Sequence, residues 1–132
     1  MAKILDNKKK KILLVDDDEI SMGIAAVVLQ EKFEITTAQS GKIALEILAK
    51  DYKPDLILLD IIMPEMSGWE AFKKMRENEL LNDVPIAFLT SLMPIEGLEQ
   101  SKNIGAADYI TKPIDKDELP NRIEKLFKKR RL

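Results

Sequence analysis

The sequence predicts a single α/β domain, a doubly wound five-stranded parallel sheet flanked by five helices. Three observations predict it. Five short apolar or β-branched runs bounded by breakers alternate with stretches whose apolar residues recur at helical spacing. Two of those runs, "KILLV" and "LILLD", are apolar with little interruption, as strands buried on both faces are. At 132 residues, 45% hydrophobic and 33% charged, the chain can fill one ordinary core but not two. Right-handed crossovers between such strands place helices on both sides of the sheet.

The first strand is read at Lys11 to Val15 and is followed by a helix carrying Ile20, Ile24, Val27 and Val28. The second is "EITTA" (Glu34 to Ala38); Ser40 can cap the next helix, whose apolar set is Ile43, Ala44, Ile47 and Leu48. "LILLD" (Leu56 to Asp60) is the third strand. After it, Ser67 and Glu70 have the spacing of a capping box for a helix bearing Ala71, Phe72 and Met75. "PIAFLT" (Pro85 to Thr90) is the fourth strand. Pro94 and Gly97 head a weakly patterned fourth helix with Leu98 and Ile104, polar from Glu99 to Lys102 and a candidate mobile element. "DYIT" (Asp108 to Thr111) precedes a last helix with Leu119, Ile123, Leu126 and Phe127. There an interior Pro120 would remove a hydrogen bond, but with Asp117 as N-cap it falls in the first turn, where its missing N–H would have had no partner. No repeat, linker or low-complexity segment interrupts the span 11–128. The basic ends 1–10 and 129–132, marked by "KKKK" and "KKRR", are expected to be solvated tails.

Composition narrows the chemistry. A formal charge of −2 gives no general attraction to nucleic acid or anionic lipid. With no cysteine and no histidine there is no disulfide, thiolate or imidazole to use, which leaves hydroxyls, carboxylates and amines. The N-terminus lacks a continuous apolar h-region, and no stretch approaches the roughly 20 apolar residues of a membrane helix. Neither nucleic acid nor membrane is expected as a partner, and the cytoplasm is the expected location.

In open α/β sheets, ligands bind beyond the carboxyl ends of the strands. Those ends carry Asp16, Asp17 and Asp18, then Asp60, then Thr90 and Ser91, then Lys112 and Pro113; strand two ends in uncharged Ala38 and Gln39. Taken singly each has an ordinary reading, as turn, cap, strand end or solvated lysine. Together they have the parts of a phosphoryl-transfer site. Aspartate oxygens suit Mg²⁺, a lysine supplies a point charge, a threonine hydroxyl donates, and an aspartate can form an acyl phosphate.

From about Lys11 to Lys128 the chain resembles the receiver domains of two-component response regulators. The segments "LLVDDDE", "LILLDIIMPEMSG", "IAFLTS" and "GAADYITKP" stand in that family's order and at its separations. The resemblance implies the flavodoxin-like strand order 2-1-3-4-5, which brings the ends of strands one, three, four and five together. It implies that Asp60 is the phosphoacceptor, that Asp17, Asp60 and the backbone carbonyl of Ile62 bind Mg²⁺ directly, and that Asp16 acts through water. It further implies that Lys112 pairs with the phosphoryl group before a cis Lys112–Pro113 bond. Thr90 is then the switch hydroxyl, and Tyr109, otherwise an amphipathic residue at a sheet edge, is the aromatic that turns inward. Met63 and Pro64 shape the loop, and Gly68 gives a conformation or close approach that a side chain would forbid.

Implied partners are a sensor histidine kinase or phosphotransfer protein and a downstream protein docking on helix four, strand five and helix five, the chain being a monomer or a weak phosphorylation-dependent dimer. The expectation is either a free-standing receiver that signals by docking or a segment of a hybrid kinase or longer regulator. Ile62 and Leu92 depart from the family's commoner polar or Met residues, and the expectation is a comparatively long-lived phosphoryl group. Three other readings are weighed. A phosphorylation-independent interaction module would not need the intact residue set. A haloacid-dehalogenase-like phosphatase would need a second Asp where Ile62 stands, and a flavin module would not place an acidic loop after strand one.

Overall fold

The computed structural model describes residues 8–91 and 94–130. Five strands, β1 (Lys10–Val15), β2 (Phe33–Ala38), β3 (Leu56–Leu59), β4 (Ile86–Thr90) and β5 (Asp108–Thr111), form one sheet in the order β2-β1-β3-β4-β5. All neighbours run parallel, with Val15 opposite both Ala38 and Leu59, and Phe88 opposite both Leu59 and Tyr109. The helices are α1 (Glu19–Leu29), α2 (Gly41–Leu48), α3 (Gly68–Arg76), α4 (Pro94–Ile104) and α5 (Glu118–Arg130). The architecture is the one the sequence predicts, and the strand order is the one the family resemblance implies.

The uninterrupted apolar strands feed two cores by alternation. Leu13, Val15, Ile57, Leu59 and Phe88 point to one face, where Ala44, Leu48, Ala71, Phe72 and Met75 of α2 and α3 cover them. Ile12, Leu14, Leu58, Ala87 and Leu89 point to the other, under Met22, Ala25 and Leu29 of α1 and Leu119, Ile123 and Leu126 of α5. Each Leu, Ile, Val, Phe or Met among them, fully buried, contributes about 1.5–3 kcal/mol. Arg122 fastens α5 to the start of β5, donating to both carboxylate oxygens of Asp108 (2.6 and 3.0 Å) and to the Tyr109 carbonyl (3.0 Å).

On α1 the structure corrects the reading from spacing. Ile20, Ile24 and Val27 lie on the outer face (75, 49 and 66% exposed), and the core takes Met22, Ala25 and Leu29. This helix is apolar nearly all round, so more than one stripe fits the period and only packing selects one. Ile43, Leu98 and Ile104 likewise lie outside the core. Another segment without a spacing signal is the short 3₁₀ turn Glu79–Leu81, held by Arg76, whose guanidinium donates to the carbonyls of Leu81 (2.9 Å) and Val84 (2.8 Å).

The helix starts are capped by side chains. Ser40 accepts from the Ile43 N–H at 3.1 Å and Ser67 from the Glu70 N–H at 3.2 Å, as the sequence predicts. Asp18 caps α1 by accepting from the Ile20 N–H at 3.1 Å. Pro120 falls in the first turn of α5, but the capping carboxylate is that of Asp115 rather than Asp117. Asp115 accepts from the N–H groups of Asp117 and Glu118, both at 2.8 Å. The Lys112–Pro113 bond is cis. Residues 1–7 and 131–132 of the expected tails lie outside the described residues, and β1 takes in Lys10.

The start of α3 is pressed against the end of β3. The Gly68 N–H donates to the Ile61 carbonyl at 2.7 Å, and a Cβ on Gly68 would lie 2.6 Å from Ile61 Cα and against the Asp60 carbonyl. Glycine is therefore required here by close approach of two backbones.

Two outcomes are expected. Gly68→Ala should reduce unfolding free energy by about 1–3 kcal/mol, the range for overpacking a fitted contact, measured by chemical denaturation. The two backbone N–H bonds at Asp115 hold its carboxyl below the usual carboxylate range. A carboxyl lowered on folding contributes stability above its unfolded pKa and loses it as pH falls through the folded value. Asp115→Ala should therefore lower the melting temperature at neutral pH, with the difference closing below about pH 4.

Candidate functional site

The sheet's hydrogen-bond ladder runs past the strand ends and fixes the residues that follow. The Asp16 N–H donates to the Ala38 carbonyl (3.1 Å), the Asp60 N–H to the Val15 carbonyl (2.9 Å) and the Lys112 N–H to the Thr90 carbonyl (2.9 Å). Four chemistry-bearing residues from four strands thus have anchored backbones at one edge of the sheet. Their side chains meet. The Lys112 ammonium lies 2.6 Å from Asp16 Oδ2 and 3.2 Å from Asp60 Oδ2, and the Thr90 hydroxyl hydrogen-bonds the Asp60 carboxylate. Asp16, Asp60 and Thr90 are buried; Lys112 is nearly so.

The free oxygens are also oriented. Asp16 Oδ1 accepts from the Asp18 N–H at 3.0 Å, and the Ile62 N–H points to Asp60 Oδ1 at 3.4 Å. Exposed Asp17 completes a group with Asp16 and Asp60, in which one carboxylate oxygen from each lies within 4.8 Å of the others. The acidic run divides by role: Asp16 and Asp17 enter the cluster, while Asp18 caps α1. Ile62 stands at the rim, 56% exposed. Ser91 is exposed beside Thr90, and Leu92 lies outside the described residues. Met63 is buried under the loop and Pro64 is exposed, with Glu65 in the left-handed region at φ +67°.

Burial pushes the Asp60 carboxyl above the usual carboxylate range; the Thr90 hydroxyl and the Lys112 charge pull it down, and the Asp16 charge adds to the rise. Burial alone would lower the Lys112 ammonium. The hydrogen bond to Asp16 and the charges of Asp60 and Asp16 outweigh that, and the net direction is up. Lys112 is thereby a fixed cation between two acids.

Tyr109 stands on the edge strand β5, with its side chain buried in the core. Its ring is tilted against Phe88 with centroids 6.5 Å apart, and Phe88 in turn meets Trp69 (4.8 Å) and Phe72 (5.6 Å). Burial, with the Asp60 charge adding, raises the phenol above its ordinary pKa.

Above Asp60 is an open cleft of about 520 Å³. Its walls are Asp17, Asp18, Ile20, Ser21 and Ile24 from the first strand's end and α1, with Ile62, Ser91, Pro113 and Ile114 opposite. Ile20 and Ile24 had no place in the sequence reading of the site. The signal was there, since α1 has more apolar surface than one sheet face can cover.

Comparison with known proteins agrees with this geometry. The family model of the response regulator receiver domain matches residues 12–124. The chain is 40% identical over 112 residues to a probable cyclic di-GMP phosphodiesterase of Vibrio cholerae, covering 85% of this chain and 25% of that protein. It is 38% identical over 120 residues to the transcriptional regulatory protein CrdR of Helicobacter pylori, covering 90% and 55%. The chain therefore spans between a quarter and about half the length of these curated relatives. Among solved structures, a CheY-like response regulator receiver domain protein from Methanospirillum hungatei aligns with a TM-score of 0.84 at 27% identity, covering 94% of this chain and 98% of that one. With the sheet order, the gathered strand ends and the matched span in agreement, the chain belongs to the response regulator receiver domain family of two-component signal transduction.

Proposed function

We propose that Asp60 accepts a phosphoryl group from a phosphohistidine of a sensor histidine kinase or phosphotransfer protein. The observation that carries this is Asp60 itself: a carboxylate at the floor of an open cleft, touched by the Lys112 ammonium and the Thr90 hydroxyl. An Asp60 carboxylate oxygen attacks phosphorus; the P–N bond of the donor breaks, its electron pair returns to the imidazole nitrogen, and an acyl phosphate forms. Lys112 and Thr90 are placed to contact the phosphoryl oxygens, which carry the charge in flight.

The three gathered carboxylates suit a hard divalent cation. Asp17, Asp60 and the Ile62 carbonyl would hold Mg²⁺ directly, with Asp16 through water. The ion would supply neutralisation of the transferring group. The chain's catalysis is confined to its own phosphorylation and hydrolysis, as fits a signalling phosphoacceptor.

The donor must reach Asp60 through the cleft, so Ile20, Ile24, Ile62 and Pro113 on its rim form the contact surface for it. Thr90 and Tyr109 then relay the change to the face of α4, β5 and α5, where a downstream protein docks. The chain acts in the cytoplasm as a monomer or weak phosphorylation-dependent dimer, without nucleic acid or membrane as partner. Among the described residues no helix is long and apolar enough to cross a membrane.

With acetyl phosphate and Mg²⁺, intact mass should rise by about 80 Da for one phosphoryl group. Asp60→Asn should gain nothing, and Lys112→Ala should label about 10²-fold more slowly or worse. Labelling of Asp60→Asn, or none of the parent, overturns the reading. Mg²⁺ at about 100 times its dissociation constant should stabilise the parent by about 2.7 kcal/mol, and Asp17→Asn much less, read from thermal melts. Ile62→Asn should speed hydrolysis of the acyl phosphate about fivefold, equivalent to about 1 kcal/mol of barrier, followed by loss of the added mass.

A further inference from the structure

Glycine is disfavoured inside helices, because it loses the most backbone freedom and adds no side-chain contact. Among the described helices two interior glycines occur, and they differ. Gly23 in α1 is exposed, with nothing within 4 Å of where its Cβ would stand. Gly97 in α4 is buried, and a Cβ there would lie 2.7 Å from Tyr109 Cε2 and nearer still to the phenol Cζ and hydroxyl. Real Cβ contacts essentially never come that close.

We propose that Gly97 is a positioning residue for Tyr109: by having no side chain it gives the phenol ring the space it occupies between α4 and the core. The consequence for signalling rests on the reading of Tyr109 as the switch aromatic; the positioning itself does not. The ring has little other latitude on its inner side. Phe88 backs it, Arg122 holds its carbonyl at 3.0 Å, and β5 pairing sets Tyr109 opposite Phe88. Since β5 is an edge strand, a rotamer step about χ1 carries the ring outward. Among the described side chains of α4, Ser101 is buried, whereas Ile95, Leu98 and Ile104 are 80, 40 and 39% exposed. The Gly97–Tyr109 contact therefore sets both where the ring lies and how α4 meets the sheet.

The test uses the full chain labelled with 3-fluorotyrosine, with Tyr52→Phe to leave a single reporter at Tyr109. The ¹⁹F resonance should show little H₂O/D₂O solvent shift in this parent, and in Gly97→Ala the shift should rise toward that of free fluorotyrosine. Gly23→Ala, the contact-free control, should leave it unchanged. Melting temperatures supply a second readout that does not depend on the label. Gly97→Ala should lower the melting temperature when Tyr109 is present and raise it in a Tyr109→Ala background, where only helix propensity remains. A protected Tyr109 in Gly97→Ala, a solvent-exposed Tyr109 in the parent, or the same sign of melting shift in both backgrounds overturns the proposal. Acetyl phosphate labelling of the same samples keeps the two readings apart. An unlabelled parent overturns the phosphoacceptor assignment alone, and an unchanged fluorine shift overturns the role of Gly97 alone.

Discussion

Two buried carboxylates, Asp16 and Asp60, share one ammonium, that of Lys112. Burial raises the Asp60 carboxyl, and the Asp16 charge adds to the rise. A cation reaching both makes the arrangement tolerable, and losing one partner of a buried pair costs about 3–5 kcal/mol because a charge is left alone. The ladder bonds at Asp16, Asp60 and Lys112 hold the three backbones while the side chains settle. Charge balance in the cup and continuation of the sheet past its strand ends are therefore one structural arrangement.

Strand alternation then divides the surroundings of Asp60. Asp16, Asp60 and Lys112 continue the residues that face α1 and α5, namely Ile12 and Leu14, Leu56 and Leu58, and Ile110. Thr90 continues the other side, with Ile86 and Phe88, where Tyr109 lies. Asp60 is thus met by a cation from one layer and by a hydroxyl from the other. A change at the carboxylate felt by Thr90 falls on the same face as the Trp69, Phe72, Phe88 and Tyr109 cluster and α4. Within that cluster Phe88 is the common neighbour of Trp69, Phe72 and Tyr109.

The layer on the other side carries the cleft. There α1 turns Ile20 and Ile24 to the rim while its Met22, Ala25 and Leu29 serve the core. The cleft therefore joins an apolar rim to an acidic floor. The matched region makes up 25% of one longer relative and 55% of another, so a unit like this one recurs within larger proteins.

The sequence by itself determined the strands, the helices and the chemistry at the strand ends, because these depend on local period and on residue type. Runs such as Leu56 to Leu59 can only be buried, and Ser40 and Ser67 stand where free N–H groups need acceptors. Asp16, Asp17, Asp60, Thr90 and Lys112 were legible as a group because each closes a strand. Tertiary structure decided what local pattern leaves degenerate. Helix α1 is apolar on several sides, so the sheet chose its face; Asp115 took the cap expected of Asp117 because a chain turn brought it to the amides. Only packing could show that Asp18 leaves the acidic cluster for α1, that Gly68 touches a backbone, and that Gly97 adjoins Tyr109. Those facts are distances between residues remote in sequence, and spacing along a chain carries no information about them.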